Sequence, residues 1–198
     1  MTTNGLKRHG LELIEELDRL KTVVRKTLLH DGSRNENSAE HSWHLATSVW
    51  ALADWANEPF DLDRAVKMAL AHDIVEIDAG DTLVYDSAGH ETKAARERAA
   101  ADRLFPLASG RSGTDMRALW EAYEAQACPE SRFVGALDRF LPILANHKTG
   151  GHSWKTYGIT KSQVLARNER AIRASNRLWE IAHAIIEDAV ARGWLHDR

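Results

Sequence analysis

Apolar residues recur at intervals of three and four along most of this chain, the spacing of one face of an α-helix. Leu11, Ile14, Leu17 and Leu20 form the first such stripe. The segment HDGSRNENS, residues 30–38, interrupts the pattern with Gly, Ser and Asn. Ser38 then reads as the N-cap of a helix to about Asn57, with Glu40 and His41 in its first turn. Asp61 or Asp63 opens the next helix, predicted to end near Ile77. A charged, Ala-rich helix is predicted over about 88–107, and SGRSG is a loop. TDMRALWEAYEAQ and PESRFVGALDRFLPILANH each read as a helix, the second with Pro129 near its first turn. KTGGHSWKTYG reads as a polar loop, and helices over about 161–174 and 176–192 finish the chain. No run alternates convincingly as a strand would. The expectation is an all-α, single-domain bundle over residues 1–198, with a core at about 38–146 and closing helices at about 161–192 packed on it.

Composition narrows the function classes. A chain of 198 residues suits one domain with a substantial core. A net charge of −3 gives no general attraction to nucleic acid or anionic membranes. The single cysteine, Cys128, excludes an internal disulfide and a Cys-based zinc cluster. MTTNGLKRHG lacks an apolar signal core and no stretch approaches a membrane span, so a cytoplasmic protein is expected.

The candidate chemistry lies in MALAHDIVEIDAGDTLVYD, residues 68–86, an apolar helix carrying several ionisable groups. His72 and Glu76 are four apart and share a helix face, with Asp73 about a third of a turn away. Buried charge is costly unless something neutralises it. Partners are available in AEHSWH, with His41, and in GALDRFLPIL, where Asp138 interrupts the stripe Phe133, Leu137, Leu141, Leu144. Two imidazoles and two carboxylates would make a nitrogen–oxygen site suited to Mn, Co, Fe, Ni or Zn rather than Ca. His30-Asp31 and His196-Asp197 lie in polar or terminal segments, so only His72-Asp73 has the apolar setting.

EHSWHLA, ALAHDIVEIDAGD and ALDRF, in that order, resemble the H…HD…D pattern of the HD-domain metal-dependent phosphohydrolases. RNENSAEHS and LWEAYEAQACPESRFVGALDRF are similar to segments of the branch containing the 5′-deoxynucleotidases, so the resemblance covers roughly residues 10–146. It implies an HD-domain helical bundle holding one divalent cation (Mn, Co, Fe, Ni, Zn or Mg) on His41, His72, Asp73 and Asp138. It makes Glu76 the catalytic carboxylate and Asp81 a substrate-contacting acid. The implied reaction releases phosphate from a small phosphomonoester, foremost a (deoxy)nucleoside 5′-monophosphate, by attack of a metal-activated water with Glu76 as base. The first-choice cation for the phosphoryl oxygens is Arg34, with Lys148 second. Glu40 either orients an imidazole or meets the helix dipole, the latter being favoured, and His44 packs.

The sequence departs from that branch where an Arg-Trp pair would face the sugar and base. VVRKTLLHDGSR offers Arg25 but no tryptophan, and TLVYD lacks the proline of the pattern. Trp43 and Trp154 are the candidate replacements. Phosphatase chemistry therefore transfers better than a deoxynucleotide preference. Multi-metal phosphodiesterases and di-iron oxygenases of this superfamily need further histidines between the HD pair and the last Asp, and only His90 lies there. A non-catalytic nucleotide sensor is the other alternative. A homodimer is expected from the dimers common among related phosphatases, from seven tryptophans and from the apolar LWEIAHAIIEDAVARGWL.

Overall fold

In the computed structural model, which describes residues 10–82, 85 and 87–197, the inward stripe of the first helix is Leu13, Leu17 and Leu20. This helix, α1 (Leu11–Arg19), leaves Leu11 and Ile14 at 54% and 64% exposure. Positions 13, 17 and 20 are the i, i+4, i+7 set, so Leu17 and Leu20 of the expected stripe face inward while Leu13 takes the place of Leu11 and Ile14. The side chains of Ser87, Ala88 and His90, the LV and D of LVYD, and the first nine residues lie outside the description. The readings of His90, of the terminal segment and of the missing proline therefore rest on sequence.

The chain next forms a hairpin where no strand was expected. β1 (Val24–Leu28) and β2 (Asn35–Asn37) pair antiparallel, Val24 opposite Asn37 and Leu28 opposite Asn35. Its turn is held by Asp31, whose Oδ1 accepts from the Ser33 amide at 2.9 Å, and by Gly32 at φ 73°. β1 escapes a periodicity search because it is short and carries Arg25 and Lys26. The acids that face Arg25 come from other segments.

The N-cap of α2 (Ser38–Ala51) is Asn37, not Ser38. Asn37 Oδ1 accepts from the Glu40 amide at 2.9 Å while Glu40 Oε2 accepts from the Asn37 amide at 3.2 Å, a reciprocal capping box. Ser38 is thereby freed for a contact described below. Asp61 does cap α3 (Leu62–Ala71), accepting from the Arg64 amide at 3.0 Å. That helix stops six residues before Ile77. Three-residue turns such as Glu76 N–H to Asp73 O, 2.9 Å, carry the chain into a short helix, α4 (Glu76–Ala79).

The remaining elements are α5 (Ser87–Leu104), α6 (Ser112–Ala125), α7 (Pro129–Lys148), α8 (His152–Thr156), α9 (Lys161–Ile172) and α10 (Asn176–Ala191). α8 lies inside the segment read as a polar loop. Asn146 Oδ1 accepts from the Ser153 and Trp154 amides at 3.0 and 3.2 Å, so a residue of α7 caps it. α7 is the axis of the core. Its Phe133, Val134 and Leu137 share one buried cluster with Leu45 and Val49 of α2 and Met68 of α3. Val164, Ile172, Leu178 and Ile186 of the last two long helices join the same cluster. Pro142 lies one turn after Asp138 and has no N–H to offer the Asp138 carbonyl. No helix of the described residues is long and apolar enough to cross a membrane.

Candidate metal centre

Three elements bring His41, His72, Asp73 and Asp138 together. His41 sits in the first turn of α2, His72 and Asp73 follow the end of α3, and Asp138 is in the middle of α7. Donor atoms of His41, His72 and Asp73 lie within 4.8 Å of one another. Asp138 Oδ1 is 2.9 Å from His41 Nε2 and 4.0 Å from His72 Nε2. Both imidazoles are almost fully buried, at 0% and 4% exposure.

The surroundings orient each donor. His72 Nδ1 donates to the Ala69 carbonyl at 2.8 Å, which fixes the ring. Asp138 Oδ2 accepts from the Tyr123 hydroxyl at 2.8 Å, leaving Oδ1 for the cluster. His41 Nδ1 lies 3.3 Å from Glu36 Oε2. Asp73 Oδ2 accepts from Arg25 at 3.1 Å, and the same guanidinium lies 3.4 Å from Glu36 and 3.8 Å from Asp81. A histidine held from behind by a carboxylate or carbonyl is the usual support of a metal ligand.

His72 carries the test of whether a cation fits. With its proton committed to Ala69, its Nε2 presents a lone pair. That atom is buried, has no hydrogen-bond partner among the described residues, and sits 3.0 Å from Asp73 Oδ1. Burial, reinforced by the charge on His41, pushes His72 down to about 4, so at neutral pH no second proton fills the gap. A lone pair facing two carboxylate oxygens calls for positive charge between them, and a divalent cation supplies it. For His41, burial opposes charging, but the hydrogen bond to Asp138 and the Glu36 carboxylate 3.3 Å away outweigh it and raise the ring to about 9. A proton thus stands on His41 where the cation would be.

Glu76 begins α4 beside these groups, at 5% exposure, and its Oε2 accepts from the Ser38 hydroxyl at 2.6 Å. Burial first, then the Asp73 charge, push it up to about 8, while burial raises Asp73 to about 6 against the pull of Arg25. These values give the first prediction. A folded-state pKa above the unfolded value means the folded protein holds that proton more tightly, so stability falls as pH rises between the two values. For Glu76 the interval runs from 4.5 to about 8, and for His41 from 6.5 to about 9. His72 and Asp73 complete their titration below about pH 6.5. The stability of chelated protein, and with it the melting temperature, is therefore expected to fall between about pH 6.5 and 8, the stability by on the order of 1 kcal/mol per pH unit for each group. Glu76→Gln is expected to halve the slope. A melting temperature that rises across this window contradicts the assignment.

The two cations first chosen from sequence are not brought to the centre. Arg34 is exposed and forms a bidentate pair with Glu40, at 2.6 and 2.9 Å. Lys148 is exposed at the end of α7 and does not line the cavity. The guanidinium at the centre is Arg25, pointing inward from β1. Glu40 serves the cap of α2, and the acid behind His41 is Glu36, which sequence reasoning passed over. The signal was present, since Glu36 stands five residues before His41 next to a turn, but only the hairpin reveals that it faces inward. His44 is part-exposed, its ring edge-on to His30 at 5.9 Å. Asp81 lines the cavity with His72, Asp73, Glu76 and Asp138. Trp154 lines it too, whereas Trp43 is 67% exposed.

Comparison with known proteins agrees with this construction. The chain is similar to the crystal structure of a predicted metal-dependent phosphohydrolase from Magnetospirillum magnetotacticum MS-1. Identity is 46%, the TM-score is 0.89, and 94% of this chain and 93% of that one are covered. It is 30% identical over 138 residues to human 5′-deoxynucleotidase HDDC2, a match covering 69% of this chain and 66% of the relative's length. It is 25% identical over 189 residues to 5′-deoxynucleotidase hdd1 of Schizosaccharomyces pombe, covering 91% and 84%. The family model described as the HD domain matches residues 17–179, a span containing all four clustered donors and Glu76, and the chain accordingly belongs to the HD-domain family.

Proposed function

We propose that this protein is a metal-dependent phosphomonoesterase that hydrolyses (deoxy)nucleoside 5′-monophosphates to nucleoside and inorganic phosphate. The observation that carries the reading is Glu76. It is a buried carboxylate fixed through one oxygen by Ser38, with no hydrogen bond to the other among the described residues, at the edge of a cluster fit for a dication. Two relatives named 5′-deoxynucleotidases support the substrate class. When bound by His41, His72, Asp73 and Asp138, a divalent cation supplies Lewis acidity toward the phosphoryl oxygens and lowers the pKa of water.

The protein's own groups do the rest. Glu76 accepts a proton from the attacking water, through the oxygen that Ser38 leaves free. It ionises more readily once Asp73 and Asp138 are neutralised. Arg25 faces the charge that grows on the phosphoryl oxygens, and its buried setting strengthens that interaction. Asp81 accepts a hydrogen bond from a sugar hydroxyl. The cavity, about 300 Å³, suits a mononucleotide, and its cations Arg25, Lys26, Lys93 and Arg139 stand among six acids, a poor bed for a polynucleotide backbone.

A phosphate-release screen over nucleoside mono-, di- and triphosphates with Mn, Co and Mg tests this. Monophosphates are expected to be the best substrates, and Asp81→Ala to lose most nucleotide turnover, since an unpaired hydroxyl is strongly rejected by a site built to bind it. Without the Arg-Trp pair of the related branch, discrimination between deoxy- and ribonucleotides is expected to be weak. Efficient release of tripolyphosphate from a deoxynucleoside triphosphate would show the reading to be wrong.

A further inference from the structure

The cavity does not end at the ligand cluster. From Asp138 it follows α7 past Pro142 and Ile143 to Asn146. Eight residues of helix span about 12 Å, comparable with the reach from the phosphate of a mononucleotide to the edge of its base. The far chamber is walled by Trp154, Tyr157, Ile159, Asn168 and Ala171, together with Tyr85. α8 is fastened beside β1 by the Ser153 hydroxyl, which donates to the Lys26 carbonyl at 2.9 Å. The wall therefore stands in a fixed relation to Arg25 and the cluster.

Asn168 is the polar group that stands out in this chamber. It is 3% exposed. Its Nδ2 donates to the Val164 carbonyl at 2.8 Å and reaches the Tyr85 hydroxyl at 3.5 Å. A carbonyl only accepts, so this bond fixes which way the amide faces. Its Oδ1 has no hydrogen-bond partner among the described residues and remains for whatever fills the chamber. Arg139, next to Asp138, also lines the cavity and makes no hydrogen bond or ion pair among the described residues. The chamber thus offers flat aromatic walls, one oriented acceptor and one guanidinium donor.

We infer that this chamber is a nucleobase subsite. Trp154 and Tyr157 bound the ring, Asn168 Oδ1 accepts a base N–H, and Arg139 donates to a ring carbonyl or ring nitrogen. The inference rests on the nucleotide reading above and deepens it, assigning recognition of the leaving group to α8 and α9. Trp154 then supplies aromatic surface at the base, from another part of the chain than the absent Arg-Trp pair. Aromatic contact with a base is typically worth enough to change affinity by tenfold or more.

The test compares metal-loaded wild type, Asn168→Ala and Ala171→Phe, the last filling the chamber without touching the metal cluster. Two quantities are read. One is the ratio of kcat/KM for each deoxynucleoside 5′-monophosphate to that for 2-deoxyribose 5-phosphate, which has the same sugar and phosphate but no base. The other is the calorimetric Kd of the four free deoxynucleosides. Both variants are expected to lower the ratio at least tenfold, through KM, and to weaken nucleoside binding in parallel. Equal losses on both substrates, or a ratio within twofold of wild type in a variant that melts normally, would overturn the subsite. So would wild type that hydrolyses nucleotides no better than 2-deoxyribose 5-phosphate, a result that needs no variant. Failure of the broader reading looks different. Wild type would release no phosphate from any nucleotide, while nucleoside binding lost in Asn168→Ala would leave the subsite standing.

Discussion

Glu76→Gln is expected to keep the metal and lose turnover by about 10²–10⁴-fold, the usual contribution of a positioned general base. Glutamine preserves the length of the side chain and can still accept from the Ser38 hydroxyl, which lies 2.6 Å from Oε2 in the wild type. It removes only the capacity to take a proton. The loss is expected in kcat, with metal content unchanged, because Glu76 borders the cluster while the proposed donors are His41, His72, Asp73 and Asp138. Stability of the chelated variant is expected to improve near pH 8, where wild type must ionise a carboxyl held at about 8 by burial. Steady-state kinetics with metal analysis of the same preparation check this. Wild-type turnover in Glu76→Gln would require a different base.

Asp138→Ala is expected to have the largest effect on metal binding. Substituting outer groups that merely orient ligands typically costs 10–100-fold in affinity, so loss of a direct donor should cost at least about 100-fold. The substitution also leaves the Tyr123 hydroxyl and His41 Nε2 without the oxygens they meet at 2.8 and 2.9 Å. Each orphaned buried group costs about 1–3 kcal/mol. Metal at a hundred times its Kd stabilises the wild type by about 2.7 kcal/mol, or about 5–10 °C in a chain of this size. The variant is expected to melt lower and to lose that metal-dependent shift. Calorimetry with and without added Mn measures both. Full metal retention with unchanged activity would remove Asp138 from the site.

The parts of this site that the sequence made legible share one property: each is an ionisable residue set where an apolar one belongs. Asp138 interrupts the α7 stripe, and His72, Asp73 and Glu76 interrupt the run that begins in α3. Such interruptions are visible without a partner in view. What escaped was inward-facing charge on segments with no apolar pattern to interrupt. Arg25 lies in a five-residue strand beside the polar Lys26 and Thr27, and its acids are Glu36, Asp73 and Asp81, up to 56 positions away. Proximity to His41 favours Arg34, yet it pairs with Glu40 at the surface. Ser suits an N-cap, but Asn37 takes that place, and Ser38 instead fixes the carboxylate of Glu76. The turn that ends α3 is hidden because neither Gly nor Pro marks it: residues 72–79 contain none. α8 was hidden because its cap, Asn146, belongs to another element.

One divalent ion on the His41–His72–Asp73–Asp138 cluster is expected to make this chain a phosphomonoesterase. Phosphate release from deoxynucleoside 5′-monophosphates, followed through exhaustive chelation and stoichiometric metal return, measures this. The expected result is activity that vanishes on chelation and returns in proportion to metal bound, saturating at one ion per chain. Activity that persists in fully chelated protein, or metal return that restores one bound ion per chain without phosphate release from any phosphomonoester, would contradict it.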